Sequence, residues 1–393
     1  MDAITFRFLM SLAASQNLEM YLMDVVTAYL YGSLENEIYM KIPEGLKMPE
    51  DLKSKAKEIC SDYVNNAICP CVFIKKSSSG FVIIAVYVDD LNMIGTQKEI
   101  DDARTHMKEE FEMKDLGKTK FCLGLQIEHF QDGIFVHQSN YTKRVLKRFY
   151  MDKATPLSTP MVNRSLDVEK DPFRPCEDNE EVLGPEVPYM SAIGGLMYLA
   201  NCTRPDIAFA TNLLARYRYL SDPHKARSQT GYVFTIGGTA VSWRSQKQTL
   251  VATSSNYAET IALHEACREC VAPVYDSSHT RIKWNIIEKE PTKIFEDNSA
   301  CVTQLKEGYI KSDRTKHIPP RFFSYTQELQ KNQEVDIEYI RSSDNAADLF
   351  TKALPTTVFK KHVHSMECVV YKTCEKKRFY LFQGEIMLRY SFS

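Results

Sequence analysis

The chain has 393 residues, of which 44% are hydrophobic and 25% charged, so it is long enough for two or three globular domains and is not of disordered or collagen-like composition. Its 49 basic and 51 acidic residues leave a net charge of −2, which excludes a strongly basic coat but allows a local basic groove. The 11 cysteines are odd in number and irregularly spaced, which argues against a secreted disulfide framework. The longest apolar run, residues 81–88, is far shorter than the roughly 20 residues of a membrane span, so we expect a soluble cytoplasmic or nuclear protein without a membrane partner.

The first part of the chain alternates predicted strands and helices. Apolar, β-branched and aromatic runs predict strands at 18–26, 37–42, 81–88, 91–94, 121–130 and 134–137. Asp132-Gly133 predicts a hairpin turn between the last two. Apolar residues on one face predict a helix at 98–111, and Ser139 or Asn140 could cap another that runs to residue 150. The alternation predicts an α+β sheet covered by helices.

A proline- and acid-rich stretch separates this part from the next. Six of the 16 prolines fall between Pro156 and Pro188, among acidic residues without apolar periodicity. We therefore predict a solvated linker at 155–190, after a first domain at 1–154.

The second part, predicted to form a domain at 191–363, has the same mixed style. Strands are predicted at 232–236 and 240–243, joined across Gly237-Gly238, and at 293–295 and 335–340. Helices are predicted from Ser254 or Ser255 to residue 271, at 299–306 and at 321–330, and residues 346–359 are predicted to be mostly helical.

The sharpest chemical feature is the sequence Tyr87-Val88-Asp89-Asp90 at the end of the apolar run. Adjacent acids there are unfavourable unless something pairs with them, and Asp24 ends another predicted strand. Three carboxylates at strand ends suit a pair of Mg²⁺ ions that promote in-line phosphoryl transfer. The alternative is an ordinary turn, since Asp-Asp pairs commonly cap hairpins.

Basic side chains are concentrated in two places. One face of the predicted helix after residue 139 carries Lys143, Arg144, Lys147 and Arg148. No acid lies between Asp222 and Glu259, a stretch that contains Arg244 and Lys247. Such stretches suit contact with phosphate backbones, although a solvated basic face would have the same composition.

Several motifs, in order along the chain, closely resemble the reverse transcriptase region of copia-type retrotransposon Pol polyproteins. They are 24–32 with 37–45, YVDD at 87–90, FEMKDLG at 111–117, CTRPDIAFA at 202–210, TGYVF at 230–234, RTKH at 314–317 and ADLFTKALP at 347–355. The resemblance covers most of residues 18 to 363. It implies a reverse transcriptase palm and thumb followed by a ribonuclease H domain.

The resemblance also implies site residues and partners. Asp24, Asp89 and Asp90 would be the polymerase metal ligands, and Glu259, Asp297 and Asp348 would supply ribonuclease H carboxylates. The implied cofactor is Mg²⁺, with Mn²⁺ as an alternative, and the implied partners are an RNA template, a DNA primer, deoxynucleotides and an RNA–DNA hybrid. Taken alone, each ribonuclease H candidate is better explained as a solvated surface acid.

Departures from the family pattern point to a rearranged and impaired protein. Residues 46–63 are a short substitute for a long stretch that positions template and nucleotide, and the fingers before Asp24 are nearly absent. Arg216 falls where the first ribonuclease H aspartate is expected, on a predicted central strand, and residues 364–393 form an unrelated tail. We therefore expect little activity, the alternative function being that of a non-catalytic nucleic-acid-binding or interaction protein.

Overall fold

The computed structural model describes residues 3–26, 63–66, 69–131, 133–163, 188–217, 227–236, 238–271, 291–307, 318–366 and 369–371. The chain divides into two compact units of mixed helix and strand. Unit 1 comprises Met1–Phe135 and Val370–Thr373, and unit 2 comprises Val136–Val369 and Cys374–Ser393. The units divide upstream of the linker predicted at 155–190, of which 164–187 lie outside the described residues. Within the described part, each helix is too short or too polar to cross a membrane.

Unit 1 is built on a six-stranded sheet with strand order β2-β3-β4-β5-β1-β6. Its elements are helix α1 (Ala3–Ser15), β1 (Glu19–Val25), β2 (Val64–Asn65), β3 (Val72–Lys76), β4 (Phe81–Tyr87), β5 (Asp90–Gly95), α2 (Gln97–Glu110) and β6 (Met113–Lys118). Each neighbouring pair of strands is antiparallel. The strands predicted at 18–26, 81–88 and 91–94 and the helix predicted at 98–111 are confirmed, and the strand predicted at 37–42 lies outside the described residues.

The core of unit 1 lies between this sheet and helix α2. Ile100, Ala103 and Met107 lie on the buried face of α2 and belong to one apolar cluster with Met23 of β1 and Met93 of β5. This is the face that the sequence predicts. Burying each large side chain contributes roughly 1.5–3 kcal/mol, so this packing fixes β1 beside β5.

The segment predicted as one strand at 121–130 forms two, β7 (Phe121–Cys122) and β8 (Leu125–His129). Cys122 pairs with Leu125, and the two residues between them have positive φ, 51° at Leu123 and 76° at Gly124. This matches a tight hairpin turn, which reverses the chain within the apolar run. The predicted single strand was therefore wrong. The hairpin of β8 with β9 (Gly133–His137) is confirmed, and Phe130 donates a backbone hydrogen bond to Gly133.

Unit 2 contains a strand hairpin, a parallel strand pair and a larger set of helices. Its elements are α3 (Ser139–Arg148), α4 (Tyr189–Cys202), α5 (Ala208–Tyr217), β10 (Gln229–Ile236), β11 (Thr239–Lys247), α6 (Ser255–Val271), β12 (Thr292–Glu296), α7 (Ser299–Glu307), α8 (Arg321–Lys331), β13 (Val335–Tyr339) and α9 (Thr356–Ser365), with short 3₁₀ helices at Pro205–Ile207, Ser342–Asp344 and Ala346–Phe350. Strands β10 and β11 form an antiparallel hairpin, and β12 and β13 are parallel. A further strand, β14 (Val369–Tyr371), follows α9 in the chain.

The helices predicted in unit 2 from Ser254 or Ser255 to 271, at 299–306 and at 321–330 are confirmed. Helix α3 has Gln138 rather than Ser139 or Asn140 at its N-cap position, and α4 was not predicted. Ser254 caps α6, since its Oγ accepts a hydrogen bond of 3.1 Å from the Tyr257 backbone N–H. The predicted helix at 346–359 was wrong in its continuity, because the 3₁₀ helix ends at Phe350 and α9 begins only after Pro355. Proline restricts the residue before it to extended backbone, which interrupts a helix there. Arg216, placed by prediction on a strand, lies in helix α5.

Gly231 allows the hairpin of unit 2 to approach the 3₁₀ helix that contains Asp348. A Cβ atom at Gly231 would lie 2.6 Å from Phe350 Cβ and 3.1 Å from the Ala347 carbonyl oxygen. The hairpin is also tied to this segment by a 2.7 Å hydrogen bond from Ser245 Oγ to the Phe350 carbonyl. Only glycine fits this contact without displacing the neighbouring segment.

We expect Gly231→Ala to lower the free energy of unfolding by about 1–3 kcal/mol, because overpacked contacts force backbone shifts. The matched control is Gly194→Ala in helix α4, where an added Cβ meets nothing within 4 Å. Alanine should stabilise that exposed helical position by about 0.5–1 kcal/mol. Urea denaturation of the two variants checks both signs, and equal effects would contradict the close approach at Gly231.

Candidate active sites

The acidic turn of unit 1 is a two-residue hairpin between β4 and β5. Tyr87 pairs with Asp90, which leaves Val88 and Asp89 as the turn residues. Val88 has a φ of 55°, a left-handed conformation that is strained for a β-branched residue. Strain of this kind persists only where the surrounding structure imposes it, and it is concentrated at functional sites. The sequence predicted both acids at the end of a buried strand, but the conformation of Val88 carries no signal in the sequence.

Strand β1 brings Asp24 to the same end of the sheet. Asp24 is paired directly with Asp90 on one side and with Lys114 of β6 on the other. Directly opposed residues of antiparallel strands project to the same face, so these three side chains form one row. The backbone N–H of Val25 donates a 2.9 Å hydrogen bond to the carbonyl of Asp89, which ties β1 to the turn. The structure thus brings Asp24, Asp89 and Asp90 together.

The other two carboxylates of this group act on Asp90. Burial raises the pKa of Asp90, and the nearby charges of Asp24 and Asp89 raise it further. The Oδ1 atom of Asp89 is buried and accepts no hydrogen bond. An unpaired buried carboxylate oxygen is unfavourable, and a bound cation is one way to satisfy it. The donor set therefore fits a hard divalent cation, which prefers carboxylate oxygens.

Unit 2 contains a tighter acidic cluster formed by Glu259, Glu296 and Asp297. Ligand atoms of these three residues lie within 4.8 Å of one another, and no other such group of three occurs in the described part of the chain, including unit 1. Glu259 belongs to the N-terminal turns of α6, whereas Glu296 and Asp297 lie at the end of β12. The predictions for Glu259 and Asp297 thus bring two side chains together at one site.

Glu296 is a site residue that the sequence reading missed. Only 6% of it is exposed, and one of its oxygens accepts a 3.0 Å hydrogen bond from the Asn298 backbone N–H. The signal was present, because Glu296-Asp297 repeats the pattern of Asp89-Asp90, two acids at the end of an apolar strand. The strand was predicted to end at residue 295, which left Glu296 without an assigned role.

Burial governs the acid–base properties of this cluster. It raises the pKa of Glu259 to about 6, with further contributions from the charges of Asp297 and Asp348. Burial and the charge of Glu259 likewise raise the pKa of Glu296 to about 8. Burial thus shifts both groups toward their neutral forms, and a cation bound beside them would favour their charged forms.

Asp348 lines an open cleft of about 630 Å³ that is also lined by the three residues of the acidic cluster. Its segment is held by Asn345, whose side-chain oxygen accepts a hydrogen bond from the Ala347 N–H. The ammonium of Lys352, one helical turn further, lies 2.8 Å from Asp348 Oδ2. Asp348 therefore lies beside the cluster as the partner of a lysine side chain.

The predicted basic face lies on helix α3 of unit 2. Lys143, Arg144, Lys147 and Arg148 lie along this helix, which has no buried residue. One side of the helix packs against α4, where the rings of Tyr141 and Tyr198 meet edge to face at 4.9 Å. Arg244 and Lys247 are three residues apart in β11, so they project from opposite faces of the hairpin. The structure gathers the first four basic residues into one surface but does not gather these two.

Comparison with known proteins identifies the relatives of this chain. Residues 59–163 match the reverse transcriptase (RNA-dependent DNA polymerase) family, a range that includes Asp89 and Asp90 and begins after Asp24. The retrovirus-related Pol polyprotein from transposon TNT 1-94 of Nicotiana tabacum is 31% identical over 430 aligned positions, which cover 91% of this chain and 31% of the relative. Pol polyproteins from transposons RE1 and RE2 of Arabidopsis thaliana are each 23% identical, over 91% of this chain and 28% of the relative. No solved structure matches the chain.

These alignments also describe what the chain lacks. It spans less than a third of the length of these three relatives. The alignment with the tobacco polyprotein has 430 positions and therefore exceeds the 393 residues of the chain, although it covers only 91% of them. The relative thus contains residues within the aligned region that have no counterpart here.

We expect the free energy of unfolding of the Glu296→Gln variant to depend much less on pH than that of the unmodified chain. Because the folded pKa of Glu296, about 8, lies above its ordinary value of 4.5, its contribution to stability is fully present below pH 4.5 and is lost as the pH rises to about 8. The loss is on the order of a few kcal/mol in the unmodified chain. Urea denaturation across this pH window measures it.

The exposed Glu328 of helix α8 provides the matched control, since Glu328→Gln should leave the pH dependence unchanged. An equal pH dependence in the Glu296→Gln variant and the unmodified chain would contradict the buried, proton-binding state of Glu296.

Proposed function

The chain belongs to the Pol polyprotein family of copia-type retrotransposons, and from this premise we propose that unit 1 is a reverse transcriptase palm whose polymerase activity is weak or absent. The observation that carries the proposal is the register of β1 and β5, which pairs Asp24 with Asp90 beside the strained Val88-Asp89 turn. Nothing in a surface turn requires a third acid on the neighbouring strand. A pair of bound divalent cations, in contrast, gains a further oxygen ligand and a further negative charge from it.

In this proposal Asp24, Asp89 and Asp90 hold Mg²⁺, with Mn²⁺ as an alternative. The bound cations would promote attack by a primer 3′-hydroxyl on a deoxynucleotide and neutralise the leaving pyrophosphate. The strands fix the carboxylates of Asp24 and Asp90, because each lies in a hydrogen-bonded ladder rather than in a mobile loop. The unpaired Oδ1 of Asp89 is the ligand atom that most needs a cation.

Positioning of the substrate is the part of the reaction that this chain lacks. An error of about 1 Å in the placement of reacting groups can reduce a rate 100-fold. The short stretch at 46–63, most of which lies outside the described residues, is the proposed site of the loss, consistent with aligned relatives that contain extra residues. A palm with its metal ligands but without this stretch can bind cations and still fail to align a nucleotide with a primer.

We expect the purified chain with Mg²⁺ to extend a DNA primer on a homopolymeric RNA template weakly or not at all. Mn²⁺ binding, measured by electron paramagnetic resonance, should nevertheless decrease in Asp24→Asn and in Asp89→Asn. The control is Asp101→Asn, which removes an exposed acid of helix α2 and should bind Mn²⁺ like the unmodified chain.

The two measurements separate the two parts of the proposal. Robust Mg²⁺-dependent extension that Asp89→Asn abolishes would contradict the claim of impairment while supporting the palm assignment. Unchanged Mn²⁺ binding in both site variants would contradict the palm assignment itself.

For unit 2 we propose a site of the ribonuclease H type, in which Glu259, Asp297 and Asp348 hold divalent cations and Glu296 lies beside them. The close approach of Glu259, Glu296 and Asp297 supports cation binding. Two features argue for slow hydrolysis. The position expected to provide a fourth catalytic acid is occupied by Arg216 in a helix, and Lys352 already forms an ion pair with Asp348.

Binding of nucleic acid without catalysis is the alternative function, and the basic face of α3 favours it. Four cations along three turns can each approach a phosphate, and the aromatic packing of Tyr141 on α4 fixes the helix beneath them. Binding of this kind is independent of sequence and weakens with salt. It would survive the loss of both catalytic functions.

We expect the chain to bind an RNA–DNA hybrid with an affinity that falls linearly on a log–log plot against salt, and to cut the hybrid slowly or not at all. Replacing Lys147 and Arg148 by Met should lessen the slope by about 0.7–0.9 for each phosphate that the variant no longer neutralises. The control replaces Lys98 and Lys108 of helix α2 by Met, which changes the net charge equally.

Equal slopes in the two double variants would contradict the role of α3. Rapid Mg²⁺-dependent cleavage of the RNA strand, abolished in Asp297→Asn, would contradict the claim that hydrolysis is impaired.

A further inference from the structure

Two thiols face each other in a tight turn of unit 1. Cys69, Pro70 and Cys71 connect the region of β2 to β3, and the Sγ atoms of Cys69 and Cys71 lie 3.3 Å apart. This separation is shorter than two sulfur atoms adopt without an attractive contact, so one thiol donates a hydrogen bond to the other. Both residues are half-buried rather than sealed in the core.

Three hydrogen bonds to backbone groups of the turn fix the conformation that brings the two thiols together. The N–H of Val72 donates to the Cys69 carbonyl at 2.8 Å, which closes a four-residue β-turn with Pro70 at its second position. Asn66 accepts a bond of 3.1 Å from the Cys69 N–H, and Asn65 donates one of 2.9 Å to the Pro70 carbonyl. Proline fixes its own φ, so little conformational freedom separates the two cysteines.

We propose that Cys69 and Cys71 form a thiol-oxidation site, at which a low-molecular-weight disulfide such as oxidised glutathione converts the pair to an intramolecular disulfide. A disulfide needs its sulfur atoms about 2.05 Å apart, so the two Sγ atoms must move about 1.2 Å closer together. The roles proposed for the acidic sites of both units leave these two residues unused.

The two thiols have different tasks in the reaction. The hydrogen bond between the two thiols lowers the pKa of Cys71 and raises the pKa of Cys69. Cys71 is therefore the thiol of the pair that more readily becomes a thiolate, the form that attacks disulfides. Cys69 keeps its proton until the first exchange has removed the charge of Cys71.

The exchange balances in two steps. Cys71 thiolate attacks one sulfur of oxidised glutathione, forms a mixed disulfide and releases one glutathione thiolate, which takes up the proton that Cys69 loses. Cys69 thiolate then attacks the Cys71 sulfur and releases the second glutathione, which takes its proton from water. The two protein sulfurs lose two electrons, and oxidised glutathione gains them as two molecules of reduced glutathione.

The position of the turn connects this site to the acidic hairpin. The N–H of Val86 donates a 2.8 Å hydrogen bond to the Cys71 carbonyl, and Val86 precedes Tyr87 at the end of β4. The thiol pair is thus bonded to the strand that leads into the Val88-Asp89 turn. Oxidation would occur within the framework of the sheet rather than at a distant surface.

The test incubates the full chain with oxidised glutathione at neutral pH and maps the products by peptide mass spectrometry. We expect the peptide with Cys69 and Cys71 to lose two hydrogen masses without gaining glutathione, and to regain them with a dithiol reductant. Cys60 lies in the same tryptic peptide, so Cys60→Ser is the matched control and should react unchanged.

The single variants distinguish the two roles. Cys69→Ser should accumulate one glutathione on Cys71, because no second thiol is there to displace it. Cys71→Ser should react several-fold more slowly than Cys69→Ser, because the serine hydroxyl of Cys69→Ser can still donate a hydrogen bond to a Cys71 thiolate, whereas Cys69 without Cys71 returns to an ordinary, mostly protonated thiol. A stable glutathione adduct on Cys69 or Cys71 of the unmodified chain, an unreactive pair, or loss of the disulfide in Cys60→Ser would each overturn the proposal.

Discussion

Both units hold several carboxylates close together, and the packing of each unit has to overcome the repulsion between them. In unit 1 the β1–β5 register pairs Asp24 with Asp90, and in unit 2 Glu259, Glu296 and Asp297 converge within 4.8 Å. Like charges at such distances repel, and burial removes the water that would screen them. The raised pKa values of Asp90, Glu259 and Glu296 express this cost. Apolar packing has to hold the strands in place against it.

The strands that carry the acids could be predicted because their signal is local. Residues 81–88 form a β-branched run without a charged residue, and burial of Val82, Ile83 and Ile84 in the sheet is what such a run encodes. The register could not be predicted, because β1 and β5 are joined by a long stretch of chain and their pairing is decided by packing against α2. In the sequence, only the family resemblance implies that Asp24 lies close to Asp90. The strand pairing that brings them together is seen in the structure.

The wrong predictions have a common physical cause. In each of them a single residue changes the backbone or the burial against what the surrounding apolar pattern indicates. Leu123 adopts a left-handed conformation beside Gly124 and reverses the chain inside what reads as one strand. Pro355 separates a 3₁₀ helix from α9 inside what reads as one helix. Glu296 was passed over because its strand is one residue longer than its apolar run, and buried acids are rare enough to be read as exposed. Strand ends that bear two consecutive acids are the places where this reading fails.

The two units differ in how their own side chains neutralise the acids. In unit 1, Asp89 retains an oxygen without a hydrogen-bond partner, and the charges that act on Asp90 are those of other acids. In unit 2, Lys352 supplies an ammonium to Asp348, yet its side chain is 54% exposed and carries a single charge. A divalent cation brings two charges and several coordination positions, so it can satisfy Glu259 and Asp297 together, which a lysine on a flexible stem cannot. In the site proposed for unit 2, Lys352 would therefore compete with a cation for Asp348, because both would satisfy the same carboxylate.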